Sequence, residues 1–297
     1  MKLLLNLTER YIFLWIIFIF FILPFYSHAQ SHQGKLAIII DDIGYNLQHG
    51  RKIAELPIPI TLAVLPFTPH GKFLAELGHQ QGKEIMLHTP MSNEHQLPLG
   101  PGALTNEVSQ SLLVNILDQN LTNIPHVKGV NNHMGSQLTQ NAEVMGWLMS
   151  YLKSRQLYFV DSRTTHKTQA LNQAKAHHLP SRKRDVFLDD IRNITHIRKQ
   201  LRIAIELAKT QDGTIAIGHP YPETLAVLTD LIENHDSIEL VRVSQLLSEM
   251  KQEISQPPYC PLDIQFDPPI SFPFVTEDYL NLPIPSHKKS DFVIKTI

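Results

Sequence analysis

The sequence predicts an α/β protein, a distorted (β/α) barrel of about seven parallel strands. Short apolar runs alternate with segments of helical periodicity, and each pair spans roughly 25 to 35 residues, as expected of βαβ units. Residues 36–40 form an unbroken apolar run, which is typical of a strand buried on both faces. Seven or eight such units favour a closed or nearly closed barrel over an open sheet.

Each element is assigned from its pattern and from the Gly and Pro residues at its ends. The runs expected to form strands are residues 36–40, 60–65, 84–87, 127–130, 158–160, 186–188, 214–217 and 238–241. The segments expected to form helices are residues 46–56, 68–81, 106–121, 142–153, 167–177, 194–209, 223–233 and 244–251.

The chain divides into three parts. Residues 1–29 have a basic start, an apolar run and a small-x-small site ending at Ala29, and therefore predict a signal peptide. The barrel domain is expected over 35–250, followed by a Pro-rich tail over 251–297. We expect cleavage near Ala29 and export to the periplasm or outside the cell. An uncleaved N-terminal segment is the alternative and would be the only membrane attachment.

Composition narrows the class of protein. The formal net charge is −2 at pH 7 and no basic run is present, so no nucleic-acid partner is expected. Cys260 is the single cysteine, so an exported domain has no internal disulfide and depends on its core or on a metal ion.

The first strand runs directly into Asp41 and Asp42. In α/β folds the reacting groups lie at the carboxyl ends of parallel strands, where two acids can supply a metal ligand and a general base. A structural alternative is a strand-end turn, with Asp42 capping the next helix and Gly44 making the bend.

Other polar residues follow later strands: His88, His133, Asp161 and His219. Parallel strands would bring them to one rim, and one Asp with two His is typical of a catalytic zinc site. Each also has a structural alternative. His88 could be a core histidine, His133 could bind a backbone carbonyl, Asp161 could cap a turn, and His219 could stabilise its own turn.

Five motifs together resemble one protein family: KLAIIIDDIGY, EIMLHTPM, GVNNHMGSQ, FVDSRTT and AIGHPYPETL. The ordered set, over about residues 35–248, resembles the divergent polysaccharide deacetylases, an offshoot of the polysaccharide deacetylases. The resemblance implies a distorted (β/α) barrel, a divalent metal, usually zinc, and removal of acetyl groups from N-acetylated sugars.

The resemblance also implies roles for individual residues. Asp41 matches the general base and His219 the acid that protonates the leaving group, while Asp42 and His88 match metal ligands. Ser92 stands where ordinary deacetylases have their second metal histidine. We therefore expect His133, on the next strand, to be the third ligand.

Three further residues are expected to bind substrate or support the site: Asp161, Arg163 and Asp185. Asp161 matches an acidic family motif and is the candidate partner that orients His219. Asp185 is expected near the rim, paired with Arg184.

The resulting hypothesis is a zinc-dependent hydrolase that removes acyl groups from an envelope carbohydrate. Because Ser92 replaces a usual metal ligand, an inactive carbohydrate-binding protein is one alternative function. The Pro-rich tail makes a partner-docking protein another. Neither the sugar nor the oligomeric state follows from the sequence.

Overall fold

A computed structural model gives the fold of residues 34–233 and 238–248. The signal segment over 1–29 and the tail over 251–297 lie outside these residues, so those two predictions are not tested. Within the described ranges, every helix is too short or too polar to cross a bilayer.

The strands form one parallel sheet. They are β1 Gly34–Ile43, β2 Thr61–Val64, β3 Glu84–Met91, β4 Val127–Met134, β5 Tyr158–Asp161, β6 Ser181–Lys183, β7 Val186–Phe187, β8 Thr214–Gly218 and β9 Ile238–Val241. Their order is β6-β5-β4-β3-β2-β1-β8-β7, and β9 pairs with the first residues of β1. The predicted fold class is confirmed, although about seven strands was too few.

Helices connect the strands and cover the outside of the sheet. They are α1 Leu47–Ala54, α2 Gly71–Gln80, α3 Gln110–Asn123, α4 Ala142–Ser154, α5 Ala170–Ala176, α6 Ile194–Thr210 and α7 Pro222–Glu233. A further helical segment covers 243–248. The strand missed in the sequence, β6, has three residues and none is apolar, so no hydrophobic pattern marks it.

Both faces of β1 are buried, as its continuous apolar run predicts. Ile38 and Ile40 belong to the larger core, which also contains the buried faces of the helices. Ala37 and Ile39 face a second, smaller core with residues of β2, β3, β5 and β8. This second core fills the barrel interior, because strand side chains alternate between the two faces.

A buried polar cluster lies at the amino end of the barrel. Glu84 Oε1 accepts hydrogen bonds from the hydroxyl of Tyr158 at 2.7 Å, from the hydroxyl of Thr61 at 3.3 Å and from the backbone N–H of Ser244 at 3.1 Å. The cluster ties the segment 243–248 to three strands.

Candidate metal and catalytic site

The side chains of the site lie on the same face of the strands as the residues that fill the barrel interior. The apolar interior includes Ile39, Met86 and Ile217. The residues two positions further along the chain are Asp41 on β1, His88 on β3 and His219 directly after β8. The period of two in a strand therefore places these polar side chains on the interior face, above the apolar core.

Asp42 would face outward in a regular strand, but β1 is irregular here. The register with β2 shifts between Ile40 and Ile43, and Asp42 has a left-handed backbone with φ +55°. A bulge of this kind redirects a side chain and is common beside active sites. The capping alternative is wrong, because the N–H of His49 at the start of α1 is capped by Asn46 at 2.9 Å.

Three potential ligand atoms converge at the rim. Asp42 Oδ1 lies 2.8 Å from His133 Nδ1 and 3.2 Å from His88 Nε2, and the two nitrogens are 3.2 Å apart. Zinc bonds of about 2.0–2.1 Å in tetrahedral geometry place ligand atoms about 3.3 Å apart. Although Asp42 Oδ1 is buried, no hydrogen bond of normal geometry reaches it. The three potential ligand atoms lie together in the structure, and the cluster suits a divalent cation.

Asn131 determines which nitrogen of His88 is available to a metal. Its Nδ2 donates to Asp41 Oδ1 at 2.8 Å, because a carboxylate only accepts hydrogen bonds. Its Oδ1 therefore faces His88 Nδ1, at 2.7 Å, and accepts the proton there. His88 Nε2 is left with a free lone pair toward Asp42 and His133. A hydrogen bond from the second ring nitrogen to a fixed acceptor is typical of metal-binding histidines.

The two acids of the doublet lie in different electrostatic environments. Burial raises the pKa of Asp41, against the opposing effects of His88 and His219, which suits a proton acceptor. Burial also acts to raise the pKa of Asp42, but the imidazoles of His133 and His88 outweigh it and hold that pKa well below its usual range.

His219 is held by Asp189 and not by Asp161. Its Nδ1 lies 2.9 Å from Asp189 Oδ1, and its backbone N–H donates to Asp189 Oδ2 at 2.6 Å. Burial acts to lower the pKa of His219, but the hydrogen bond to Asp189 and the neighbouring carboxylates raise it to about 9. The imidazole Nε2 lies 3.7 Å from Asp42 Oδ2, so it faces the ligand cluster.

The expected pairing of Asp161 with His219 is therefore wrong. Asp161 is fully buried, and its carboxylate accepts from the backbone N–H of Arg163 at 2.8 Å and the hydroxyl of Thr168 at 3.0 Å. It shapes the turn after β5, because its two oxygens are occupied by residues of that turn.

The expected rim pair of Arg184 and Asp185 is also wrong. Asp185 Oδ2 accepts from the backbone N–H of Ile215 at 2.9 Å, so this carboxylate ties the start of β7 to β8. Arg184 instead lines the cleft above the ligand cluster. Arg184 directly follows β6 and so lies at the rim, whereas Asp185 directly precedes β7.

Ser92, at the position of the usual second histidine, lies outside the ligand cluster. Its carbonyl accepts from the backbone N–H groups of Gln137 and Leu138, at 3.1 and 3.0 Å. The position therefore joins the ends of β3 and β4, and the third potential ligand atom of the cluster is that of His133 on β4.

Sequence reasoning missed two residues of the site, Asn131 and Asp189. Both carried a signal, since Asn131 lies two residues before His133 in one motif and Asp189 directly follows a predicted strand. Arg184 was expected at the rim, but paired with Asp185 and not as part of the cleft lining.

The site opens into a cleft of about 470 Å³. Its lining includes the doublet, the three histidines and a group from the ends of β5 and β6, namely Ser162, Arg163, Thr164 and Arg184. A cleft of this size is within the usual range for a site that binds a small molecule.

The fold and the site define a parallel (β/α) barrel protein with a candidate metal site, formed by a His/His/Asp cluster beside a further carboxylate and a supported histidine. The chain belongs to the divergent polysaccharide deacetylase family, whose model matches residues 38–247. The family resemblance of the motifs is thereby confirmed.

Relatives and solved structures agree with this assignment. The chain is 41% identical over 226 residues to the Escherichia coli K12 protein named "Uncharacterized protein YibQ", covering 76% of this chain and 71% of the relative. Its fold is similar to an uncharacterised Agrobacterium tumefaciens C58 protein, with a TM-score of 0.68, 22% identity and coverage of 72% and 89%. It is also similar to the catalytic domain of a peptidoglycan N-acetylglucosamine deacetylase from Eubacterium rectale, with a TM-score of 0.50, 11% identity and coverage of 72% and 90%. At these identities the two structural likenesses show the fold alone.

Proposed function

We propose that this protein is a zinc-dependent hydrolase that removes acetyl groups from a carbohydrate of the cell envelope. The observation that carries the proposal is the convergence of Asp42 Oδ1, His88 Nε2 and His133 Nδ1 within 3.2 Å of one another, with Asp41 and His219 beside them. A divalent ion bound there would supply Lewis acidity, which polarises a carbonyl and lowers the pKa of water.

Two side chains carry out the two proton transfers of the reaction, one as the base and one as the acid. Asp41 is buried, and its raised pKa allows it to accept a proton from the attacking water. His219, kept protonated by Asp189, donates a proton to the departing nitrogen or oxygen of the sugar. Asn131 holds Asp41 and His88 in place together, through one hydrogen bond to each.

Metal content tests the ligand set. Purified protein should contain one zinc ion per chain by elemental analysis, and His133→Ala or Asp42→Ala should lower that content to near zero. His196→Ala is the matched control, because His196 pairs with Asp190 outside the cleft. Full zinc content in His133→Ala would show that the ligand set is wrong.

Turnover tests the reaction. Release of acetate from N-acetylated oligosaccharides should be lost in Asp41→Asn while zinc stays bound, since Asp42 and the two histidines remain. Full activity in this variant would refute Asp41 as the base. If the native protein releases no acetate yet binds a glycan, the alternative function, a carbohydrate-binding protein of the envelope, takes its place.

The cellular location is part of the same proposal. Export follows from the signal-like segment over 1–29, so the mature chain should begin at Gln30. N-terminal sequencing of protein from the cell envelope checks this. An intact Met1 on membrane-bound protein would indicate an anchor.

A further inference from the structure

The barrel has a seam, where the two edge strands of the sheet meet, and an arginine at this seam lines the cleft. The sheet ends at β6 on one side and β7 on the other, and the two strands are joined by Arg184 and Asp185 alone. The backbone N–H of Arg184 donates to the carbonyl of Asp161 on β5, whereas that of Asp185 donates to the carbonyl of Ile215 on β8, each at 2.9 Å. The chain crosses the seam here, so the Arg184 side chain borders the interior of the rim.

The guanidinium of Arg184 and the candidate acid contact the same aromatic ring. The Cζ atom of Arg184 is 4.7 Å from the ring centre of Phe187, and that ring is 5.6 Å from the ring of His219. Arg184 and His219 both line the cleft, so a ligand held by Arg184 would share the cleft with the reacting centre.

Arg184 lacks an acidic partner within the described part of the chain. Its Nε donates to the carbonyl of Ser162 at 2.8 Å and its Nη2 to the carbonyl of Arg163 at 3.2 Å. No described carboxylate oxygen lies within 4 Å of it, although Asp41, Asp161 and Asp190 act on it at longer range. A half-buried guanidinium held by neutral carbonyls keeps its positive charge available to a ligand.

Two neighbouring residues reinforce this corner of the cleft. Arg163 has a left-handed backbone with φ +53°, held by Asp161, and its guanidinium makes no hydrogen bond or ion pair to another described residue. Strain of this kind is concentrated at functional positions. Ser162 is 6% exposed and lines the cleft, yet its hydroxyl has no hydrogen-bond partner among the described residues.

We propose that Arg184, Arg163 and Ser162 form a subsite for a carboxylate carried by the sugar, so that the substrate is an acidic N-acetylated carbohydrate. The inference rests on the proposed function for the identity of the cleft as a sugar site. The planar guanidinium of Arg184 and the free hydroxyl of Ser162 match the acceptor oxygens of a carboxylate, and Arg163 adds a second positive charge.

Binding measurements test the subsite without requiring turnover. The purified protein is titrated by NMR with N-acetylmuramic acid and its neutral carboxamide, and with N-acetylglucosaminuronic acid and its carboxamide. For at least one pair the acid should bind about tenfold more tightly than the amide, as expected for a charge-assisted contact. The pair that shows the preference identifies a lactyl or a uronic carboxylate. Equal binding within both pairs would overturn the proposal.

Variants locate the preference. Arg184→Gln should bring the acid-to-amide ratio to within about twofold of unity. Arg192→Gln is the matched control, because Arg192 also lies over an aromatic ring, 4.0 Å from the centre of Tyr221, but does not line the cleft. The acid-to-amide ratio of Arg192→Gln should equal that of the unsubstituted protein. A preference retained in Arg184→Gln would overturn the subsite, since a carboxylate bound to the metal ion would behave in this way.

A second variant covers the case in which Arg184→Gln fails to fold. Arg163→Gln removes a guanidinium without a partner in the described chain, so folding should be unaffected, and the ratio should fall about threefold. An unchanged ratio in a folded Arg163→Gln protein would then count against the proposal. If the acid preference is present but no acetate is released from any substrate, the subsite stands and the proposed hydrolysis fails.

Discussion

The Nδ1 atom of His219 lies 2.9 Å from Oδ1 of the buried Asp189, which is 3% exposed. The second oxygen of Asp189 accepts from the backbone N–H of His219 and from the hydroxyl of Thr224, both at 2.6 Å. The carboxylate therefore has three donors and fixes the orientation of the imidazole, with Nε2 toward Asp42.

Replacing Asp189 should weaken the acid. In Asp189→Asn the negative charge that favours the imidazolium is lost, so the pKa of His219 falls from about 9. Because His219 must be protonated to donate, activity is lost above its pKa, and the alkaline limb of the pH–rate profile should move to lower pH. The maximal rate should fall about 10²–10⁴-fold, the usual range for general acid catalysis.

The neighbouring carboxylate provides the control. Asp190 forms a similar pair with His196, at 2.7 Å, outside the cleft. Asp190→Asn should leave the pH–rate profile unchanged. Equal shifts in both variants would show a general change of charge and contradict the specific role of Asp189.

Removing the amide of Asn131 should weaken metal binding. Asn131→Ala leaves His88 Nδ1 without its acceptor, so the metal-binding tautomer is no longer favoured and zinc affinity should fall about 10–100-fold. Competition with a chromogenic chelator measures this.

The two hydrogen bonds of Asn131 can be separated. Asn131→Asp keeps an acceptor for His88 but places a second carboxylate beside Asp41 instead of a donor. Zinc affinity should fall less than in Asn131→Ala, whereas turnover should be lost in both. Equal affinity losses would show that the bond to His88 does not orient the ligand.

The polar cluster at the amino end of the barrel should contribute to stability. Tyr158→Phe removes a donor from the buried Glu84 Oε1, and an incompletely bonded buried carboxylate costs about 1–3 kcal/mol of unfolding free energy. Urea denaturation measures the loss. Tyr45→Phe is the control, because Tyr45 is 58% exposed and its hydroxyl is not part of the cluster. An unchanged midpoint in Tyr158→Phe would show that the bond adds no net stability.

Several features of the protein follow from the sequence because they depend on local periodicity. The apolar run before Asp41 identifies a strand buried on both faces, and a polar residue directly after such a strand lies at the rim of a parallel barrel. The positions of His88, His133 and His219 could be predicted for the same reason. The resemblance of the motifs added the family and its chemistry.

Other features were decided by the tertiary structure, because they depend on contacts between distant segments or on departures from regular geometry. Asp189, 30 residues before His219, is its partner because β7 and β8 are adjacent in the sheet. Asp161 instead accepts a hydrogen bond from the backbone of the turn that follows it. A bulge in β1 redirected Asp42 to the ligand cluster. Arg184 was expected at the rim, but its separation from Asp185 was decided at the seam between two very short strands, and no local pattern in the sequence marks where a barrel closes.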